Sequence, residues 1–109
     1  DITVLPHAME PRFTKDGRVI NAYVLSVKNK LSQPVELTVT VERFDESMIQ
    51  SITAPIRVEA GSFDRFPLFV RIKPPAGQAG TRRINLEVDA MQQDIHIRKE
   101  ANFTIPDEL

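Results

Sequence analysis

Two histidines, His7 and His96, and three methionines, Met9, Met48 and Met91, are the side chains best able to hold a soft metal or move a proton near neutrality. His7-Ala8-Met9 places an imidazole and a thioether two residues apart, a pairing that suits copper, and on a strand both would share a face. Met91 and His96 are the other candidates close in sequence, while Met48 stands alone; the plainer reading of a methionine is gap filling in a core. A nucleophilic triad needs Ser, Thr or Cys beside a His that a carboxylate orients. Neither histidine lies in a nucleophile motif, and His96 has the parity opposite to Ile95 and Ile97, which reads as a solvent face. Asp45, Glu46, Asp89 and Asp94 are loop or loop-edge carboxylates without calcium-loop spacing and read as solvated. The expectation is no catalytic residue and no cofactor in this domain, with His7 and Met9 as weak metal candidates.

The elements that would carry these residues are strands. Val19, Asn21, Tyr23, Leu25 and Val27 form one largely apolar parity, and Val35, Leu37, Val39 and Val41 another, with Glu36, Thr38, Thr40 and Glu42 opposite. A period of two means one buried face per strand. The polar connector from Asn29 to Pro34 joins the two, and the pair is expected to form the central hairpin of an immunoglobulin-like sandwich. Tyr23 is expected to find a hydrogen-bond partner in the core and Asn29 to shape the turn.

Along the rest of the chain, Ile2 to Leu5 reads as a short edge strand broken by Pro6, with Pro11 a second break, and Asp16-Gly17 as a turn. The second long strand runs from Val35 to about Phe44. Met48 to Thr53 and Ile56 to Glu59 read as short strands near an edge around Pro55. Phe66, Leu68, Val70 and Ile72 alternate inward, and Phe63 falls out of phase, which a bulge near Asp64 or a strand start there would reconcile. The stretch from Pro74 to Gly80 is a loop; Ile84, Leu86, Val88 and Ala90 alternate next, and Met91-Gln92-Gln93-Asp94 turns the chain into a last strand with Ile95, Ile97, Phe103 and Ile105. The sum is all-β, about seven antiparallel strands in two sheets. The shared core is expected from Tyr23, Leu25, Val27, Leu37, Val39, Val41, Leu68, Val70, Leu86 and Val88.

At 109 residues the chain has the size of one domain, 1–109, able to bury one core. A net charge of −1 with interspersed signs gives no footprint for nucleic acid or anionic lipid. The absence of cysteine excludes disulfides, thiolate zinc sites, cysteine nucleophiles and thiolate-bound iron–sulfur clusters within these residues. The densest apolar run, Phe66 to Val70, is far shorter than a membrane span and flanked by Arg65 and Arg71, so no direct membrane insertion is expected. Asp1-Ile2-Thr3-Val4 has no signal-peptide pattern.

Asp16-Gly17-Arg18, Asn21-Ala22-Tyr23, Leu25 and Asn29-Lys30 resemble the opening of the C-terminal domain of the FixG family, also called CcoG or RdxA. Arg57-Val58-Glu59-Ala60-Gly61, the run Val70-Arg71-Ile72-Lys73-Pro74-Pro75, and Ile84-Asn85-Leu86-Glu87-Val88 are similar to its later parts, so the likeness covers nearly the whole chain. The region Leu5 to Pro11 departs from it, since the family usually has a run with Arg and Asp there. The resemblance implies a membrane-anchored parent with cysteine-bound iron–sulfur clusters, acting in copper reduction and assembly of cbb-type cytochrome oxidase. It also implies an immunoglobulin-like domain on the periplasmic side of the inner membrane. Without cysteine this domain would be a non-catalytic appendage that docks to a protein partner or to the parent's own membrane part. The alternatives are a fibronectin-like or carbohydrate-associated module, disfavoured because only Phe69 is an outward aromatic in a clear strand, and a copper-handling domain using His7 and Met9.

Overall fold

The structure, a computed structural model, describes residues 1–42, 48–51, 55–74 and 79–107, the stretch 48–51 as backbone. Phe44, Asp45, Glu46, Ser47 and Thr53 lie outside the described residues, as does most of the loop that begins at Pro74. The alternating segments become β1 (Ile2–Pro6), β2 (Arg12–Phe13), β3 (Val19–Lys28), β4 (Val35–Val41), β5 (Met48–Ser51), β6 (Ile56–Val58), β7 (Phe63–Ile72), β8 (Gly80–Ala90) and β9 (Ile95–Ile105). They pair antiparallel throughout. A first sheet runs β1-β3-β7-β5 with β2 also on β3, and a second runs β6-β4-β8-β9.

The immunoglobulin-like sandwich is therefore present, with eight strands of three residues or more and the two-residue β2 among the described residues, against about seven expected. β2 arises because the Asp16-Gly17 turn folds Arg12-Phe13 back onto Ile20 and Val19. Gly17 takes φ +81°, where a Cβ would be strained, and the Thr14 hydroxyl accepts the Arg18 N–H at 3.1 Å. The expected edges are in place: β1 and β5 bound the first sheet and β6 one side of the second.

The expected hairpin of β3 with β4 is not. β3 pairs with β1, β2 and β7, and β4 with β6 and β8, so the connector crosses from one sheet to the other. The cause is the buried Asn29. Its Nδ2 donates to Gln33 O at 2.8 Å and to Val58 O and Glu59 O at 3.2 and 3.3 Å, while its Oδ1 accepts the Leu31 N–H at 3.0 Å. The end of β3 is thus tied to β6 of the opposite sheet. Two strands that each have one apolar face satisfy it equally well by facing each other across a core as by lying side by side.

Nor is there a bulge at Asp64. Phe63 to Ile72 pair without interruption with Lys28 to Val19, and Phe63 is out of phase simply because it faces outward, half exposed. The core joins both sheets through Tyr23, Leu25, Val27, Leu37, Val41, Leu68, Val70, Leu86 and Val88, with Val19, Val58, Ile84, Phe103 and Ile105 added. Val39 is only half-buried, packed against this core and not within it. Among the described residues β5, four residues long, is the strand of the first sheet that approaches β4.

Leu86→Ala and Leu37→Ala should each lower stability by about 2–5 kcal/mol, through lost burial and a residual cavity. Asn29→Ala should cost about 1–3 kcal/mol by leaving buried groups without partners. Urea midpoints measure all three, and unchanged midpoints for both leucine variants would refute the shared core.

Candidate functional site

The sandwich turns two chemically different faces outward. On the second sheet, Arg57 of β6 bridges Glu36 and Glu59 at 3.3 and 2.9 Å, Arg98 of β9 reaches Glu42 at 3.1 Å and Glu87 at 3.9 Å, and Arg83 meets Glu100 at 3.4 Å. Apart from the largely covered Glu42, these groups are exposed, so the pairs are screened and weakly stabilising, and they make the face hydrophilic. The outward row of the first sheet is apolar by contrast. Leu5, Val24 and Pro67 sit side by side on β1, β3 and β7, and Ala22 stands beside Phe69 in the next row. Leu5 is half exposed, while Val24, Pro67 and Phe69 are partly so. Phe63 lies on the same face at the strand end, separated from Pro67 by Arg65, whose guanidinium is 5.4 Å from its ring centroid, within cation–π range. Sequence parity flagged Phe69; the rest needed the register.

Polar side chains also join the sheets along one side. Asn21 Nδ2 donates to Thr104 O and Asn21 Oδ1 accepts the Thr104 N–H, both at 2.9 Å, and the Tyr23 hydroxyl donates to Asn102 O at 2.7 Å. Burial raises the Tyr23 pKa far above the usual phenol range, so it stays a donor. The partner expected for Tyr23 is thus a β9 carbonyl. Beside it, Val4, Pro6, Arg83, Glu100 and Ala101 help line an open cleft of about 290 Å³ between β1 and β9.

His7 and Met9 are not on a strand, because β1 stops at Pro6 and both fall in the bend before β2. His7 stays tethered through its N–H to Ala22 O at 3.0 Å. The Met9 N–H donates to His7 Nδ1 at 3.1 Å, which occupies the lone pair that a metal would need there and leaves Nε2. Met91 is almost fully exposed, and the Met48 side chain lies outside the described residues. Among the described residues no three His, Asp or Glu side chains are grouped to hold a metal ion. The iron–sulfur clusters that the sequence resemblance implies for a parent protein need thiolates, which these residues do not offer.

His96 is more than the solvent-face residue its parity suggests, and Asp89 and Asp94 more than solvated carboxylates. Nδ1 lies 2.7 Å from Asp89 Oδ1 and Nε2 3.0 Å from Asp94 Oδ1. β8 and β9 place Asp89 directly across from His96, and the turn brings Asp94 round at φ +52°. Glu87 and Arg98 line the same groove. The hydrogen bond to Asp89, then that to Asp94, raises the His96 pKa, against a smaller opposing effect of desolvation. A raised folded value means that His96 contributes stability below the ordinary histidine pKa of about 6.5, and that this contribution is lost as pH rises through the folded value. The ring is exposed, so the effect is small. Wild type should exceed His96→Gln in Tm below about pH 6, the gap closing on the alkaline side. The His96 ring titration followed by NMR should have its midpoint above about 6.5, and a midpoint at or below that value would refute the bridge.

Comparison with known proteins agrees with this architecture. The family described as "IG-like fold at C-terminal of FixG, putative oxidoreductase" matches residues 1–106. The crystal structure of a FixG-related protein from Vibrio parahaemolyticus superposes with a TM-score of 0.78 over 95% of this chain and 94% of that one, at 22% identity, a likeness of fold. No curated protein matches. With nearly every residue inside the family match, and the two-sheet fold the family describes, the chain belongs to the FixG C-terminal immunoglobulin-like family.

Proposed function

We propose that this chain is the non-catalytic accessory domain of a membrane-anchored iron–sulfur protein of the FixG type, held on the periplasmic side of the inner membrane. There it docks to a protein partner or to the parent's own membrane part, in the service of copper reduction and cbb-type oxidase assembly. Family membership supports the choice of parent. The absence of cysteine assigns cluster chemistry to the rest of that parent. The observation that carries docking is the difference between the two outward faces: one is covered by ion pairs, and the other offers an in-register apolar row around Leu5, Val24, Pro67 and Phe69. Copper in this reading is the parent's substrate.

The test removes this domain from the full-length parent and measures copper reduction by the purified remainder and oxidase assembly in cells separately. Reduction should survive and assembly should fall. Loss of reduction by a folded remainder with intact clusters would make the domain part of the chemistry. As a narrower check, Val24→Glu combined with Phe69→Glu in the full-length protein should reproduce the assembly defect while leaving the domain folded.

A further inference from the structure

Charge is divided unevenly between the two outward faces. On the second sheet Arg57, Arg83, Arg98 and His96 each engage carboxylates of their own chain, so that face is internally neutralised. On the first sheet the outward residues of β2, β3 and β7 include Arg12, Lys28, Arg65 and Arg71, and none is Asp or Glu. β1 adds only Thr3 and Leu5 to that face. Among the described residues none of the four cations has an ion pair. Asp1, beside Lys28 at the end of β3, is held by Lys30 at 3.0 Å. The net charge of −1 conceals this segregation.

The register sets the cations around the apolar rows. Arg12 and Arg71 flank Ile20 in one row, and Phe69 stands beside Ala22 in the next. Leu5, Val24 and Pro67 follow, and Arg65 beside Ser26 closes the other end. Arg65 and Arg71 belong to one strand with Pro67 and Phe69 between them, so about 20 Å of extended chain separates the two guanidinium-bearing positions. Arg65 is exposed and lies over Phe63, which steadies its guanidinium without neutralising it. Arg71 is half-buried, and its Nε is shut off from solvent with no hydrogen-bond partner. A guanidinium that has lost part of its hydration gains more from an incoming anion than a fully wet one.

We propose that this face docks a protein surface with an apolar centre, which covers Leu5, Val24, Pro67 and Phe69, and with carboxylates on either side of it. One set of carboxylates meets Arg12 and Arg71, the other Arg65. This rests on the docking role proposed above and specifies the chemistry of the partner. Arginine–carboxylate pairs at the rim of an apolar patch fix orientation and reject partners of the wrong sign. A second copy of the chain does not fit. The carboxylates on its second sheet are already engaged, and its first sheet would bring like charges together. An anionic lipid surface fits less well than a protein, because Val24, Pro67 and Phe69 lie partly covered within a sheet face and do not project into a bilayer.

The experiment uses the full-length parent in its native membranes. Carbodiimide joins amines to carboxylates in contact, so Arg65→Lys and Arg71→Lys each place a reactive amine on the face while keeping its charge. Both should become linked to Asp or Glu residues outside this domain, identified by mass spectrometry, whereas Arg57→Lys should be linked to Glu36 or Glu59 of its own chain. A photoreactive benzoylphenylalanine in place of Phe69 reports the apolar contact. Arg65→Gln combined with Arg71→Gln should lower its cross-linking to that same protein surface at least about fivefold, and Arg57→Gln combined with Arg98→Gln should not. Urea midpoints of the variants check that the fold is kept. Links confined to this domain, photoproducts with phospholipid, or a yield indifferent to Arg65 and Arg71 would overturn the proposal. Those results would leave the accessory role to the deletion experiment. Failure of the deletion experiment with the links present would leave the docking face standing without that role.

Discussion

The buried carboxamide of Asn29 is the interaction on which the sheet assignment depends. Its bonds to Gln33, Val58 and Glu59 carbonyls satisfy groups from the connector and from the end of β6 at once. Around it, the Asn29 N–H donates to Ser62 O at 2.9 Å and Lys28 N–H to Asp1 O at 2.8 Å, so the start of the chain, the end of β3 and the turn before β7 are gathered at one corner. Gly61 in that turn takes φ +72°, as a left-handed turn position requires. With the corner set, β3 cannot fold back on β4, and the two apolar faces meet as opposite walls of one core.

The alternation of apolar residues was enough to read strand existence, all-β class and most of the core, because parity reports directly which side chains leave water. It says nothing about which strand lies alongside, and so β3 and β4 read as a hairpin though they belong to different sheets. Phe63 shows the same limit: an apolar residue out of phase suggests a bulge when the strand simply has an apolar outer face at its end. On β3 itself Ile20 and Ala22 are buried along with Val19, Asn21 and Tyr23, so the first half of that strand has no wet face to alternate with.

The histidines divide along similar lines. His7 and Met9 share a spacing that promises a face only if the chain is extended, and Pro6 ends the strand before the spacing can act. His96 had a legible signal in Asp89, since the four-residue turn from Met91 to Asp94 sets the two opposite one another once β8 and β9 are accepted as a hairpin. The engagement of Asp94 depended on a left-handed backbone that no single residue type announces.

The links from Asn21 and Tyr23 to β9 span 83 and 79 residues of sequence. Loops of that length are costly to close and delay the contacts that close them, so the sandwich has the slow, non-local assembly of a high-contact-order fold. During synthesis, β3 leaves the ribosome long before the strand that accepts its amide and phenol protons. Without β9 those two donors, which lie beside the folded core of Val19, Leu25 and Leu68, would have no protein acceptor, and burying them would be costly. The first sheet's two buried donors thus depend on a strand of the second sheet for their acceptors.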